Sequence, residues 1–429
     1  MDRRGFLTGA AIGGAAAMTR PAWSAGSASA ASTLALADWR SVKQAFELRD
    51  DAVHMAGFFL ASHPAPVRMA IERHRTGLDA DPHGYYDKNI RALETATRTA
   101  AADYLGTEPD LFAMTDSTTM GIGLVYTGLQ FGPGQGIVTD THDHSVTYRA
   151  TQFAADRSGA TVRRVPLYDD PQSVSADGIV GRVGRAITSR TRLLALTWVH
   201  SGTGVKLPVR RIADLVARVN MTRGPADRLL FALDGVHGFG IEDVTIADLG
   251  CDFLMAGCHK WLFGPRGTGI IWAKPDAWPL VRPTIPTFDG AWRRQPPDTM
   301  PYSANLTPGG FHSFEHRWAL SEAFAFHRAI GKARVSERIH ALNRRCKDGL
   351  ARLSKVKMAT PMADALSAGI ICFNVEGRSP AQVVDGLMKQ NIIASTTPGF
   401  YRPSYARLAP SLLTLEEDVD RAVAAVARL

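Results

Sequence analysis

The stretch DFLMAGCHKWLFGPRG, residues 252–267, contains the most informative pattern in the sequence. Its first part, DFLMAG (252–257), predicts a buried strand, and Lys260 follows just before a turn rich in glycine. A lysine at the end of a buried strand is poorly explained as surface charge. Ligands of α/β proteins bind where the strands of the sheet end. The stretch therefore predicts an α/β fold with a functional lysine at one edge of its sheet.

Apolar segments of the same kind recur on both sides of this strand, separated by polar or helical stretches. This alternation is typical of a buried, mainly parallel sheet covered by helices. The segments are GIVTD (136–140), RLLALTWV (192–199), RLLFALD (228–234) and TGIIWA (268–273).

The chain after residue 275 has a different pattern. Residues 276–310 carry many prolines and glycines and predict a crossing segment, after which a long helical stretch is predicted from near Phe314 towards Leu353. A strand at 369–377 and helices at 380–390 and 415–428 then indicate a smaller α+β domain. The predicted division is a signal at 1–30, an N-terminal arm at 31–60, a large domain at 61–309 and a small domain at 310–429.

Asp234 ends the strand RLLFALD, so it is expected to face the same crevice as Lys260. A lysine amine there can form a Schiff base with an aldehyde cofactor. A carboxylate against a pyridine nitrogen keeps that nitrogen protonated and makes the ring an electron sink. Either residue alone is more often structural. Together with His237 and His259, they predict a cofactor site.

Ser117 and Thr118 precede an apolar helical stretch at 122–129. Backbone amides and hydroxyl groups at a helix N-terminus bind a phosphate dianion well. An ordinary N-terminal cap has the same sequence pattern. Beside the lysine and aspartate, the pair is assigned to a cofactor phosphate.

These motifs resemble the class V aminotransferase family of fold-type-I pyridoxal-phosphate (PLP) enzymes, from about residue 55 to the C-terminus. The resemblance implies a large domain with a mainly parallel seven-stranded sheet, a smaller α+β domain and pyridoxal 5'-phosphate as cofactor. It also implies that Lys260 forms the Schiff base and Asp234 pairs with the pyridine nitrogen. His144, in THDHS (141–145), matches the position whose ring stacks on the cofactor.

The same resemblance implies roles for four further residues. His237 matches a side chain near the cofactor's phenolic oxygen, and Ser201, in HSGTG (200–204), falls where many members have an asparagine near that oxygen. His259 is expected to reach the phosphate. Arg407 matches the arginine that holds the substrate α-carboxylate by bidentate pairing.

Three departures from the family pattern bear on which reaction and which phosphate contacts are predicted. The stretch 395–405 has no cysteine, which argues against cysteine desulfurase activity. Phe314-Glu315-His316-Arg317 lacks the threonine that contacts the phosphate of the neighbouring subunit, and His316 or Arg317 is a candidate replacement. Gly257 stands where a serine phosphate ligand is common.

The N-terminus has the outline of a twin-arginine export signal. Arg3 and Arg4 precede a short stretch rich in Gly and Ala, and Arg20 follows it. Ala28-Ser29-Ala30 or Ala22-Trp23-Ser24 offers a cleavage site. The twin-arginine route carries folded proteins, which suits one that acquires its cofactor before export. We therefore expect a periplasmic location and the twin-arginine translocase as a partner.

Composition excludes several classes of protein. With 45% hydrophobic and 21% charged residues the chain is globular, and no apolar run approaches the roughly 20 residues that span a bilayer. The net charge of +8 comes from lysines and arginines scattered among acids, which argues against nucleic-acid binding. The four cysteines, Cys251, Cys258, Cys346 and Cys372, have no zinc-like spacing.

The sequence thus predicts an exported, homodimeric, aminotransferase-like PLP enzyme that acts on the amino group of an amino acid or peptide-like metabolite. HSGTG and the missing catalytic cysteine resemble the isopenicillin N epimerase-like branch, so epimerase or C–S/β-lyase activity is an alternative. The export signal resembles that of the periplasmic PLP enzymes of pyoverdine maturation, for which the substrate is a siderophore side-chain glutamate. A PLP-fold binding protein without turnover is the alternative of another class.

Overall fold

The computed structural model describes residue 36, residues 38–397, residue 399 and residues 403–429. The predicted signal at 1–30 lies outside the described residues. Thirteen helices are assigned within them: α1 (Trp39–Gln44), α2 (Ala65–Ala80), α3 (Pro82–Leu105), α4 (Thr118–Gly128), α5 (Ser145–Ser158), α6 (Ala176–Ala186), α7 (Val209–Asn220), α8 (Ile246–Leu249), α9 (Asp289–Arg293), α10 (Phe314–Ile330), α11 (Lys332–Ala351), α12 (Pro380–Met388) and α13 (Glu416–Ala427).

The large domain is built on a seven-stranded sheet, which confirms the predicted fold class. Its strands are β2 (Phe112–Thr115), β3 (Gly136–Asp140), β4 (Thr161–Val165), β5 (Thr191–Thr197), β6 (Leu230–Asp234), β7 (Phe253–Gly257) and β8 (Gly269–Ala273). Their order across the sheet is β2-β8-β7-β6-β5-β3-β4. The strand β8 is the one strand of this sheet that runs in the opposite direction, antiparallel to β2 and to β7. All residues of β5, β6 and β7 are buried, as expected for strands covered on both faces.

The small domain has an antiparallel four-stranded sheet in the order β12-β13-β10-β9. Its strands are β9 (Val356–Met358), β10 (Ile371–Val375), β12 (Ser395–Thr396) and β13 (Ala406–Leu408). Near the N-terminus, β1 (Val53–His54) pairs in parallel with β11 (Ile392–Ile393). The N-terminal arm is therefore paired with the segment between α12 and β12.

The long helical stretch predicted from Phe314 towards Leu353 is helical with one interruption. The segment forms two helices, α10 and α11, which meet at Gly331. Gly331 has a φ of +97°, a backbone conformation that side chains with a Cβ rarely adopt. The glycine lets α10 end and α11 begin with no intervening loop.

The carboxyl ends of β3, β5, β6 and β7 lie at the same edge of the large sheet because these strands are parallel. Asp140, Thr197, Asp234 and Gly257 are the last residues of these four strands. Within the described chain, none of the helices is both long and apolar enough to cross a membrane.

Candidate active site

A cavity of about 140 Å³ opens at the carboxyl edge of the large sheet. The segments around it come from the ends of β5, β6 and β7 and from the N-termini of α4 and α5. The sequence-predicted residues that line it are Ser117, Thr118, His144, Ser201, Asp234, His237, His259 and Lys260. Thr119, Ile122, Val146, Thr197 and Val236 complete its lining.

Lys260 lies three residues beyond the end of β7, and its Nζ is 3.3 Å from Nε2 of His237. Burial lowers the pKa of the Lys260 ammonium to about 8, although the nearby Asp234 carboxylate opposes this shift. An amine with this pKa is partly neutral near physiological pH. Lys260 is therefore available as a nucleophile towards an aldehyde.

Asp234 is buried at the end of β6, and its Oδ1 accepts a hydrogen bond of 3.0 Å from the Val236 amide. Burial raises the pKa of Asp234 to about 6, although this amide and the charge of Lys260 act in the opposite direction. A buried carboxylate is costly unless a donor or a positive charge faces it. The protonated nitrogen of a pyridine ring would supply both.

The neighbours of His237 determine which of its two ring nitrogens carries the proton. The indole Nε1 of Trp261 is only a donor, and it lies 3.2 Å from Nδ1 of His237. Nδ1 must therefore accept, so the ring proton of the neutral imidazole sits on Nε2. Burial, helped by the charge of Lys260, lowers the pKa of His237 well below its usual value. The ring is thus a neutral donor that faces Lys260.

His144 caps the N-terminus of α5, where its Nδ1 accepts a hydrogen bond of 3.2 Å from the Val146 amide. This bond fixes the ring orientation at the cavity wall. Burial, together with the charges of Lys260 and Arg407, lowers the pKa of His144. A neutral aromatic ring at this place fits a stacking role against a planar cofactor.

The N-terminus of α4 forms the other end of the cavity. Ser117 caps the helix, and Thr118 Oγ1 accepts a 2.7 Å hydrogen bond from the Gly257 amide. His259 Nδ1 is buried and makes no hydrogen bond to any described residue. A helix N-terminus and an unsatisfied imidazole nitrogen together fit a phosphate group.

Gly257 departs from the serine common in the family, and the structure supplies a reason. A Cβ at this position would lie 2.9 Å from His259 Cε1 and 3.1 Å from Thr118 Oγ1. Both distances are closer than ordinary contacts. The two side chains that would bind phosphate occupy the space that a serine would need.

Arg407 on β13 comes from the small domain, and its Nη1 donates a 2.9 Å hydrogen bond to the backbone carbonyl of Ser201. Its guanidinium lies over the ring of Phe58, 4.7 Å from the ring centroid. Arg407 is buried, and it joins the turn that carries Ser201 to the small domain. Both residues are therefore held beside the cavity.

The suggested replacements for the missing threonine have contacts within the subunit. Arg317 is buried and lies 3.8 Å from the Glu94 carboxylate. His316 Nδ1 lies 2.8 Å from the backbone carbonyl of Arg266. Arg317 is thus part of a buried ion pair, and His316 is the more exposed of the two candidates.

Sequence reasoning missed a buried ion pair behind the cavity. His200 Nε2 lies 3.2 Å from Asp140 Oδ2, and both side chains are fully buried. Burial alone would lower the pKa of His200, but the Asp140 carboxylate reverses this and raises it. Asp140 ends β3 and His200 lies three residues beyond β5, and these strands pair in the sheet, so the strand-end pattern that identified Asp234 applied here too.

Asp143 lies beside this pair, and one ligand atom from each of the three side chains falls within 4.8 Å of the others. Burial and the adjacent Asp140 carboxylate raise the pKa of Asp143 to about 8. Asp143 Oδ2 also accepts a hydrogen bond from the Thr139 hydroxyl, and the Asp140 amide lies 3.4 Å from the same oxygen. The trio is better described as a hydrogen-bonded network.

Comparison with known proteins identifies relatives over most of the chain. The family model for class-V aminotransferases matches residues 69–411. Isopenicillin N epimerase from Streptomyces clavuligerus is 26% identical over 90% of this chain and 97% of its own length. A cysteine desulfurase from Yersinia pestis bv. Antiqua (strain Angola) is 26% identical over 85% of this chain and 90% of its own.

Solved structures show the same fold. A mutant of C-DES with glycine covalently linked to its PLP cofactor superimposes with a TM-score of 0.81 at 21% identity, covering 90% of this chain and 98% of that one. The apo cysteine desulfurase from Thermococcus onnurineus NA1 gives a TM-score of 0.76 at 19% identity, covering 91% and 97%.

Proposed function

The chain belongs to the class-V aminotransferase family, and on this premise we propose that it acts on the amino group of an amino acid or peptide-like metabolite. The observation that supports this most strongly is the grouping of Lys260, Asp234 and His237 around one buried cavity. A partly neutral lysine, a buried carboxylate and a neutral imidazole donor are the groups that amine chemistry on an aldehyde cofactor requires.

The cofactor is pyridoxal 5'-phosphate, which supplies an aldehyde that takes up amines and a ring that accepts electrons from the substrate Cα. Lys260 would hold the aldehyde carbon, and Asp234 would keep a proton on the ring nitrogen. His237 Nε2 would donate to the phenolic oxygen. Thr118, His259 and the N-terminus of α4 would hold the phosphate.

Lys260 would also act as the base towards the substrate. Its pKa of about 8 leaves part of the population neutral, so Nζ can remove the proton from the substrate Cα. Arg407 orients the substrate by pairing with its α-carboxylate. In transamination Lys260 would also be the group that returns this proton.

Epimerisation is the second candidate reaction, favoured by the two isopenicillin N epimerases among the relatives. In that case the proton returns to Cα from the opposite face. A C–S or β-lyase reaction would instead need a leaving group on the substrate Cβ. Cysteine desulfurase activity is disfavoured because all four cysteines are buried, and burial raises the pKa of Cys372 to about 12. A thiol in that state is a poor nucleophile.

The test is to incubate the purified holoenzyme with a panel of amino acids and peptidic siderophore precursors, with Lys260→Ala as the control. Product masses and chirality distinguish a keto product, an inverted stereocentre and an eliminated fragment. We expect one of these with the wild type and a rate lower by about 10²-fold or more with the variant. Cofactor-loaded protein that converts no member of the panel would support the alternative of a binding protein.

Export is part of the proposal and is supported by the sequence pattern around Arg3 and Arg4. Substitution of both by lysine should retain the protein in the cytoplasm, because the translocase reads the arginine pair as an address. Arg20→Lys is the matched control and should still be exported. Periplasmic recovery of the double variant would contradict the twin-arginine route. A periplasmic location would suit a siderophore side-chain glutamate as substrate.

A homodimer is also proposed, and an exposed aromatic cluster supports it. The Phe311 side chain is 83% exposed and Phe288 is 50% exposed, and their ring centroids lie 6.2 Å apart. Exposed apolar patches of this kind mark interaction surfaces. Sedimentation should give twice the mass of one chain, and a single-chain mass at micromolar concentration would contradict the dimer.

A further inference from the structure

The Phe58 side chain lies where three parts of the chain meet. It belongs to the N-terminal arm and is only 2% exposed. The Arg407 guanidinium, from the small domain, lies over the Phe58 ring at 4.7 Å from its centroid. The indole of Trp261, next to Lys260 in the large domain, is stacked on the same ring, with centroids 6.3 Å apart and an interplanar angle of 21°. The Phe58 ring therefore contacts both the candidate carboxylate-binding arginine and the segment that carries the candidate lysine.

We propose that Phe58 is a positioning residue for Arg407, and that its ring holds the guanidinium in the orientation that pairs with the substrate α-carboxylate. This inference rests on the proposed function and adds the N-terminal arm to the site. A guanidinium over an aromatic face is attracted by the ring electrons, most strongly where water is excluded. Phe58 and Arg407 are both buried, so the contact is of the stronger kind.

Two contacts of Arg407 constrain different parts of its guanidinium group. The 2.9 Å hydrogen bond to the Ser201 carbonyl constrains the position of Nη1. The Phe58 ring constrains the plane of the group, because the guanidinium lies over the ring face. Bidentate pairing with a carboxylate needs that plane to be set, since its two parallel hydrogen bonds lie within it. Phe58 thus supplies a constraint that the hydrogen bond does not.

The position of Phe58 is fixed by backbone hydrogen bonds on both sides of it. Before Phe58, the Met55 amide donates a 2.9 Å hydrogen bond to the carbonyl of Ile393 on β11. After it, the Ala61 amide donates a 3.1 Å hydrogen bond to the carbonyl of His259, beside the candidate lysine. A short segment held at both ends has little freedom to move its side chain away. The arm can therefore serve as a fixed support for the arginine.

The test compares two amines that differ only in the α-carboxylate, L-glutamine and 4-aminobutanamide. Each is titrated into the holoenzyme, and the half-saturating concentration is taken from the cofactor absorption spectrum. Phe58→Leu keeps an apolar side chain and removes the aromatic face. It should raise the value for L-glutamine about tenfold and the value for 4-aminobutanamide less than about twofold, as loss of a buried cation–π contact implies. Phe58→Met repeats the comparison if Phe58→Leu does not fold.

Phe46→Leu is the matched control for the loss of a buried ring from the same arm. Phe46 packs edge-on against Phe263 and Phe326, with ring centroids 5.1 Å and 5.8 Å away. Its substitution should leave the values for both compounds near those of the wild type. A selective loss of L-glutamine binding in Phe46→Leu, equal to that in Phe58→Leu, would overturn the proposal.

A double substitution distinguishes positioning from packing. In the Arg407→Ala background, Phe58→Leu should have no further effect on L-glutamine, because no guanidinium remains to be positioned. A further loss as large as that seen with Arg407 present would show a purely structural role and overturn the proposal.

The single variant can also contradict the inference. Equal losses for the two compounds in Phe58→Leu, or unchanged binding of L-glutamine, would overturn it and leave the proposed function standing. No spectral response of the wild type to either compound would contradict both.

Discussion

Lys260 and Lys347 have similar pKa values and different surroundings. Burial lowers the pKa of each ammonium to about 8. Lys347 on α11 is fully buried, and its Nζ donates to Ser367 Oγ at 2.7 Å and to the carbonyls of Pro361 and Met362. Its three donors are all used, as an ammonium group requires.

Among the residues that the structure describes, Lys260 Nζ has one hydrogen-bond contact, to His237, and it faces a cavity. The difference teaches that a lowered pKa does not by itself identify a functional lysine. Lys347 is held by fixed acceptors and stabilises the small domain. Lys260 faces space that a ligand can occupy, at the edge of the sheet where ligands bind. The predictions below test this contrast.

Substitution of Lys260 should affect turnover, whereas substitution of Lys347 should affect stability. Lys260→Ala should lower turnover on the order of 10²–10⁴-fold, because it removes both the nucleophile and the base. Lys347→Met should leave turnover near that of the wild type and lower the free energy of unfolding by about 2–4 kcal/mol, because buried acceptors lose their donor. Turnover assays and urea unfolding check both. If Lys347→Met folded but lost turnover, Lys347 would also serve the reaction, and the distinction between the two lysines would be wrong.

Asp234→Asn should retain the cofactor and lower turnover on the order of 10²–10³-fold, as expected when a charge that stabilises the transition state is removed. A neutral amide cannot hold the proton of the pyridine nitrogen. The absorption spectrum reports cofactor content and steady-state assays report turnover. A variant with wild-type turnover would show that the chemistry does not use this carboxylate.

Asp234 should also make the cofactor-free protein sensitive to pH. Its pKa is raised from 3.8 to about 6, so the folded state binds more protons than the unfolded state in this range. The contribution of Asp234 to the free energy of unfolding is then fully present below pH 3.8. It is lost as the pH rises towards 6, by up to about 3 kcal/mol. The difference between wild type and Asp234→Asn, measured by urea unfolding at pH 4–7, should show this loss. A difference independent of pH would contradict the assignment.

Arg407→Ala should raise the half-saturating substrate concentration roughly 30-fold, since a charged hydrogen bond contributes about 2 kcal/mol. Arg345→Ala is the matched control, because Arg345 lies on α11 in an exposed ion pair with Asp420, 2.5 Å away. Substrate titrations of both variants check this. An unchanged half-saturating concentration in Arg407→Ala would contradict the assignment.

The sequence predicted the large sheet well because its central strands are buried on both faces and form continuous apolar runs. The ends of these strands then identified Asp234 and Lys260 as candidate site residues. The break at Gly331 was missed because helical periodicity continues on both sides of a glycine that a helix can tolerate.

Other features depend on contacts that are remote in sequence. Arg407 lies on a three-residue strand that pairs with β10 and β12, and only the family resemblance identified it. The Asp140–His200 pair forms because β5 lies beside β3 in the sheet. No local pattern encodes that order of strands.

Borohydride reduction of the native holoenzyme, followed by peptide mass mapping, tests the central claim most directly. Reduction fixes the bond between lysine and cofactor as a stable amine, so the modified residue can be read from the peptide masses. The account predicts a single cofactor adduct on Lys260 and none on Lys347. An adduct on Lys347, or on any lysine other than Lys260, would contradict it.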